Sequence, residues 1–213
     1  MGKLTNDLRN IKELEFKPGS GYLYTNYSPL ILERIIEKIS GQNFTDYVEQ
    51  HLLIPFNLKS TLIKGQYPYK DETLMAIPFN SDFEEDNYKL NVSGMLFSST
   101  AQDLSNWLEQ LSTFKIIDEN SLKFLSQTVK EGDEFESPLG SGKWHENELI
   151  EHSHHGSIAN YEGVVRNFKK EDLNIIILST YAKIFDTFSF LKLIVYSNPK
   201  WLIIFSSSST SCN

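Results

Sequence analysis

The 213 residues predict a mixed fold, α/β in the broad sense and α+β in detail: a helical lobe first, then helices packed against late antiparallel strands. Two observations predict it. Apolar residues recur at helical spacing between Ser28 and Leu58 and again from Ser99 to Val129, whereas alternating runs rich in β-branched residues are confined to Leu149–Thr180. At 40% hydrophobic residues, this length suits about one domain with a real core. Collagen, coiled coil and wholesale disorder are excluded.

Met1 to Lys17 reads as polar and partly helical, without the apolar run of a secretory signal. Ser28-Pro29 makes an N-cap and first-turn pair for a helix whose Leu32, Ile35, Ile36 and Ile39 share one stripe, and Gly41 stops it. A second helix starts near Asn43, with Phe44, Tyr47, Val48, His51 and Leu52 on one face, and ends before Pro55 because proline disfavours helix in the residue ahead of it. Ser60 to Tyr88, with Pro68, Pro78 and the acidic stretch Asp82–Asp86, keeps no period and is expected at the surface. Ser99, or Thr100 with Asp103 three places on, caps a third helix through Leu104, Trp107, Leu108 and Leu111. A fourth runs from an Asp118 cap through Leu122 and Leu125 to Val129. Strands follow at Leu149–His155, Tyr161–Phe168 and Leu173–Thr180, the last two joined by the charged turn Lys169–Asp172 as an antiparallel hairpin.

One domain is therefore expected over residues 1–190, with 191–213 an irregular C-terminal tail whose Ser206–Ser211 run has nothing to bury. Leu191–Val195 and Trp201–Phe205 are apolar but too broken for the roughly 20 residues a spanning helix needs. The formal charge of −8 and the absence of a long Lys/Arg run argue against nucleic acid as a partner. The single Cys212 can form neither an internal disulfide nor a cysteine-rich metal site.

Three places hold residues capable of chemistry. Tyr24-Thr25-Asn26, just ahead of the first helix, sets a phenol that can trade a proton two positions from an amide that can hold a peptide-like group; packing and turn roles are the plainer alternative. His152-Ser153-His154-His155-Gly156-Ser157 lies on a predicted strand, where glycine lets the main chain approach a ligand and histidine titrates near neutrality. His145, His152, His154 and Glu148 could also supply metal ligands, but their spacing matches no zinc motif, and exposed, unliganded histidines are the simpler reading. Ser112-Thr113-Phe114-Lys115 is a literal Ser-x-x-Lys at the fraying end of the third helix, whereas a nucleophile is served by the free N–H groups of a helix N-terminus. It is read as a chance match.

In order along the chain stand Lys17-Pro18-Gly19, Tyr24-Thr25-Asn26, Leu32–Gly41, Tyr47–Leu58, Ser93-Gly94-Met95-Leu96-Phe97-Ser98-Ser99-Thr100-Ala101-Gln102-Asp103-Leu104, and His154-His155-Gly156 with Tyr161 beyond. This series resembles the β-lactamase-related serine hydrolases: class C β-lactamases, D,D-carboxypeptidases and their esterase relatives. The resemblance spans Phe16 to Thr180 and implies a β-lactamase/transpeptidase-like fold. It implies Tyr24 as general base or proton relay and Asn26 as the group orienting the substrate amide. His154-His155-Gly156 is similar to the family's Lys-Thr-Gly strand motif in a His-x-Gly form, with His154 in the lysine position, Gly156 lining the substrate cleft and the Ser157 N–H donating to the oxyanion. His155 should face the other side of the sheet.

The implied substrate is a small molecule or peptide carrying a peptide, ester or β-lactam bond, attacked through an acyl-enzyme without cofactor or metal. Relatives commonly work outside the cytoplasm or on its membrane. In the family the nucleophilic serine and its lysine precede the Tyr-x-Asn motif, and no Ser-x-x-Lys stands among residues 1–23. The chain is therefore expected to be the incomplete, C-terminal part of such a hydrolase and inactive alone, because the base and the oxyanion donor act only as a unit with the nucleophile. The alternative is a non-catalytic relative that uses the cleft to bind a cell-wall peptide or a protein partner. Orphaned apolar stripes and an open edge on the late strands should leave the isolated chain prone to association.

Overall fold

The computed structural model describes residues 10–21, 23–25, 27–63, 76–85, 97–126, 129–131, 134–136, 140–146, 148–158, 160–180 and 201–206. Residues 1–9 of the segment read as partly helical lie outside the described residues, and residues 10–21 form turns, bends and irregular chain. Helix α1 spans Tyr27–Ser40, starting one residue before the expected cap. The Thr25 hydroxyl, not Ser28, accepts the first orphan donor, the Tyr27 N–H, at 3.2 Å. Gly41 closes α1 at φ +71°, and its N–H donates to the Glu37 carbonyl at 2.9 Å.

Helix α2, Phe44–Val48, is capped by the Asn43 side chain, which accepts from the Thr45 N–H, and runs on as a π-helical turn over Glu49–Leu53. Glu37 ties α1 to α2: its carboxylate accepts the Phe44 N–H at 3.2 Å and pairs with Arg34. Partial burial pushes the Glu37 carboxyl upward, but the Phe44 N–H and Arg34 outweigh it and hold it below the usual range. Phe44, Val48, Leu53, Leu58 and Ile63 form the core of this lobe, with Ile36 and Trp107 packed on it. The remaining apolar stripe of α1 is uncovered. Leu32, Ile35 and Ile39 are exposed, and no residue of α1 is fully buried.

Strands β1 (Leu62–Ile63) and β2 (Phe97–Ser98) form a short antiparallel pair that delivers the chain to helix α3, Ala101–Ser112. The Thr100 hydroxyl caps α3 by accepting the Asp103 N–H at 3.3 Å. Asp103, itself buried, accepts from the Ser60 N–H at 2.7 Å and the Thr61 hydroxyl at 2.9 Å. Helix α4, Glu119–Leu125, is capped by Asp118 and stops four residues short of Val129, which instead opens strand β3 (Val129–Glu131), paired with β4 (Glu134–Glu136). A β-branched valine suits an extended segment once the cap at Ser126 has ended the helix.

The main sheet has the order β5-β6-β7-β8-β9, with β5 at Ser141–His145, β6 at Glu148–Ile158, β7 at Tyr161–Phe168, β8 at Leu173–Ser179 and β9 at Trp201–Ser206. The β7–β8 hairpin lies where the sequence sets it, with Val165 opposite Ile176. One expectation is corrected. The stretch 191–213 is not irregular throughout, since β9 lies within it and pairs along β8, leaving β5 and β9 as the edges of the sheet. Six apolar-rich residues gain a full ladder by pairing there in parallel. Helix α3 covers one sheet face through Ala101, Leu104 and Leu108, which pack on Val165, Ile176 and Leu178, while Leu111, Leu122 and Leu149 bury the far corner.

Candidate active site

The alternation of β6 decides which of its side chains meet the helices. His152, His154 and Gly156 point to the α3 side; Ser153, His155 and Ser157 point away. On the α3 side lies a cavity of about 630 Å³. Its helical wall is Leu104, Trp107, Leu108 and Leu111 of α3, joined by Leu52, Ile116, Ile117 and Leu125; its sheet wall is His152, His154, Gly156, Gly163, Val165 and Leu178. The walls are apolar apart from the two imidazoles. His152 is buried, whereas His154 is exposed at the opening.

Gly156 and Gly163 are cross-strand partners, so the floor of the cavity beside His154 is bare main chain. A β-carbon on Gly156 would stand in open space, and one on Gly163 would come within 3.3 Å of Leu178. Next to them, His152 is in register with Asn167, whose amide donates to Asn174 at 2.7 Å in a buried polar row.

The direction of the Ser157 N–H follows from the ladder. The Lys169 N–H donates to the Ile150 carbonyl at 3.0 Å, so even-numbered residues of β6 turn their main-chain groups to β7 and odd-numbered ones to the β5 side. The β5 ladder ends with Ser141 opposite Ser153. The Ser157 N–H is therefore aimed sideways from the sheet beyond the last β5 pair, as an external oxygen would require. Its side chain is exposed on the other face. On that face His155 Nε2 lies 3.2 Å from Glu162 Oε1, in keeping with the expected opposite orientation of His154 and His155.

Tyr24 stands 70% exposed ahead of α1, and Asn26 falls outside the described residues. The structure thus joins His154 and Gly156 on one cavity wall, while Tyr24 is not part of that wall. Ser112 is the last residue of α3, buried, with its hydroxyl donating to the Glu109 carbonyl at 3.1 Å, and Lys115 is exposed in the turn beyond. Ser112 thus stands at the C-terminal end of the helix, where the sequence sets it. Among the described residues no three His, Cys, Asp or Glu side chains are grouped to hold a metal ion, and no helix is long and apolar enough to cross a membrane.

Gly163 and Gly140 went unnoticed in the sequence. A glycine inside a strand signals close approach, but the facing of Gly163 and Gly156 depends on the β6–β7 register, and Gly156 lies beyond the strand expected at Leu149–His155.

A helical lobe and a five-stranded sheet enclosing a cleft beside a His-x-Gly strand define a penicillin-binding-protein-like α+β protein. Residues 7–183 match the family model described as Beta-lactamase, and the chain belongs to that family. It is 29% identical over 178 residues to "Protein flp" of Staphylococcus aureus strain MW2, covering 78% of this chain and 35% of that protein. A penicillin-binding protein from Bacillus halodurans shares the fold with a TM-score of 0.61 at 15% identity, over 80% of this chain and 56% of that one. An octameric penicillin-binding protein homologue from Pyrococcus abyssi superposes with a TM-score of 0.58 at 18% identity, over 78% of this chain and 40% of that one. The chain spans about a third of the length of the curated relative.

Proposed function

We propose that this chain supplies the strand wall and proton-handling groups of an acyl-transfer cleft, in which a serine from residues outside these 213 attacks a peptide, ester or β-lactam carbonyl. The observation that carries the reading is the arrangement at the end of β6: His154 and Gly156 side by side on the cavity wall, with the Ser157 N–H aimed outward past the last β5 pair. Membership of the family adds to it.

In this reading the substrate's scissile carbonyl lies along β6. The Ser157 N–H donates to the carbonyl oxygen and strengthens that bond as negative charge builds in the tetrahedral intermediate. His154 sits at the mouth, where its imidazole holds or passes a proton beside the reacting centre. Tyr24 accepts the proton of the attacking hydroxyl and delivers it to the leaving group. Asn26 holds the substrate's amide. The bare floor at Gly156 and Gly163 admits the substrate main chain at close range.

Alone, the chain lacks the attacking group and is inactive. Incubation with a fluorescent penicillin or a fluorophosphonate, followed by intact mass and peptide mapping, tests this: the expected result is no covalent adduct. A mass shift mapped to any serine of the 213 residues would overturn it. Adding an upstream segment with Ser-x-x-Lys should restore labelling, and a complete protein that binds a cell-wall peptide without being labelled would favour the non-catalytic alternative.

A further inference from the structure

We infer that Gly140 is a positioning residue for the His154 imidazole, a proposal that rests on His154 being a group of the cleft. Gly140 directly precedes Ser141, the first residue of β5, which stands opposite Ser153. The His154 imidazole lies over Gly140. A β-carbon built on Gly140 would stand 2.7 Å from His154 Cδ2, 3.2 Å from His154 Cγ and 2.7 Å from the Ser153 carbonyl oxygen. Gly140 also has φ +91°, a conformation costly to a residue with a side chain.

Two consequences follow for the cleft. The ring is drawn toward β5 and away from Gly156 and Gly163, which leaves the floor beside it open. The ring is also restrained although exposed, because one of its edges rests on main chain rather than on a mobile side chain. A methyl group at 140 would drive the imidazole off this shelf and into the space over Gly156.

The test uses the 213-residue chain and needs no turnover. Histidine side-chain resonances, assigned with His154→Asn, should show a cross-relaxation contact between His154 Hδ2 and the Gly140 Hα protons; its absence in the folded wild type would overturn the proposal even if the variant fails to fold. In Gly140→Ala the His154 ring resonances should move, while those of His155 on the opposite face stay put. A folded Gly140→Ala with His154 unchanged would also overturn it. In a labelling-competent longer protein, a displaced ring with unaltered acylation would leave the positioning intact and count against the role given to His154.

Discussion

The carboxylate of Asp103 and the main-chain N–H of Ser60 meet at 2.7 Å across 43 residues of sequence, and the same oxygen takes the Thr61 hydroxyl at 2.9 Å. This contact clips the start of α3, which carries the cavity's helical wall, to the strand leaving the helical lobe. Asp103→Ala strands a donor in a part-buried place and should lower the unfolding free energy by about 2–3 kcal/mol. Asp103→Asn, which keeps one acceptor oxygen, should lose less. Urea unfolding checks both, and identical midpoints for wild type and Asp103→Ala would show that the clip contributes nothing.

Acid should loosen the caps. Asp118 accepts the Ser121 N–H at 2.9 Å, and that bond, followed by one from the Ser121 hydroxyl, holds its carboxyl below the ordinary range. A folded value depressed below the unfolded one contributes stability above the unfolded pKa, and that contribution is lost as pH falls through the folded value. Glu37 has the same sign. The urea midpoint should therefore drop on acidification below about pH 4, the ordinary carboxylate range. Asp118→Asn and Glu37→Gln should flatten that drop; an unchanged pH profile in the double variant would rule these caps out as its source.

Helix α1 presents Leu32, Ile35 and Ile39 to solvent, the last 81% exposed. Such a stripe favours association with other apolar surfaces. Replacing the three with Lys, Glu and Lys should reduce concentration-dependent light scattering without lowering the melting temperature. A fall in melting temperature of several degrees would mean that the stripe is covered within the monomer.

In a longer protein with the Ser-x-x-Lys segment, Tyr24→Phe and His154→Ala should each cut turnover by roughly a hundredfold or more, the usual scale for a positioned acid or base. Ser112→Ala should leave turnover unchanged, because that hydroxyl is engaged with the Glu109 carbonyl at the end of α3. Steady-state rates on an ester substrate distinguish these outcomes, and a dead Ser112→Ala with native stability would make Ser112 the acylated residue.

What the sequence discloses follows the range of the forces involved. Asn43, Thr100 and Asp118 are legible as caps because each bonds a main-chain N–H only two or three residues away. The β7–β8 hairpin is legible because alternation and a charged turn agree. The end of α4 is not, since Leu125 and Val129 keep helical spacing across a break made by the cap at Ser126. Within the site, His154 and Gly156 stand out through a motif, whereas Gly140 acquires meaning only when the fold brings it under the His154 ring. The pairing of β9 beside β8 depends on contacts far apart in the chain, and no local pattern announces it.

Strand β6 is two-faced, with His152 and His154 on one side and His155 on the other, and a connection of just two residues, Ala159 and Asn160, leads into β7. Lengthening or shortening that connection by one residue, if β7 kept its place against β8, would slide the pairing and roll β6 half a turn. His155 and Ser157 would then look into the hollow, His154 would be retired to the back of the sheet, and Glu162 would lose its neighbour. The span of this short loop thus sets which face of β6 meets the hollow, and a one-residue change there would also turn Leu149 away from Leu111 and Leu122, so the packing of the far corner depends on it as much as the cleft does.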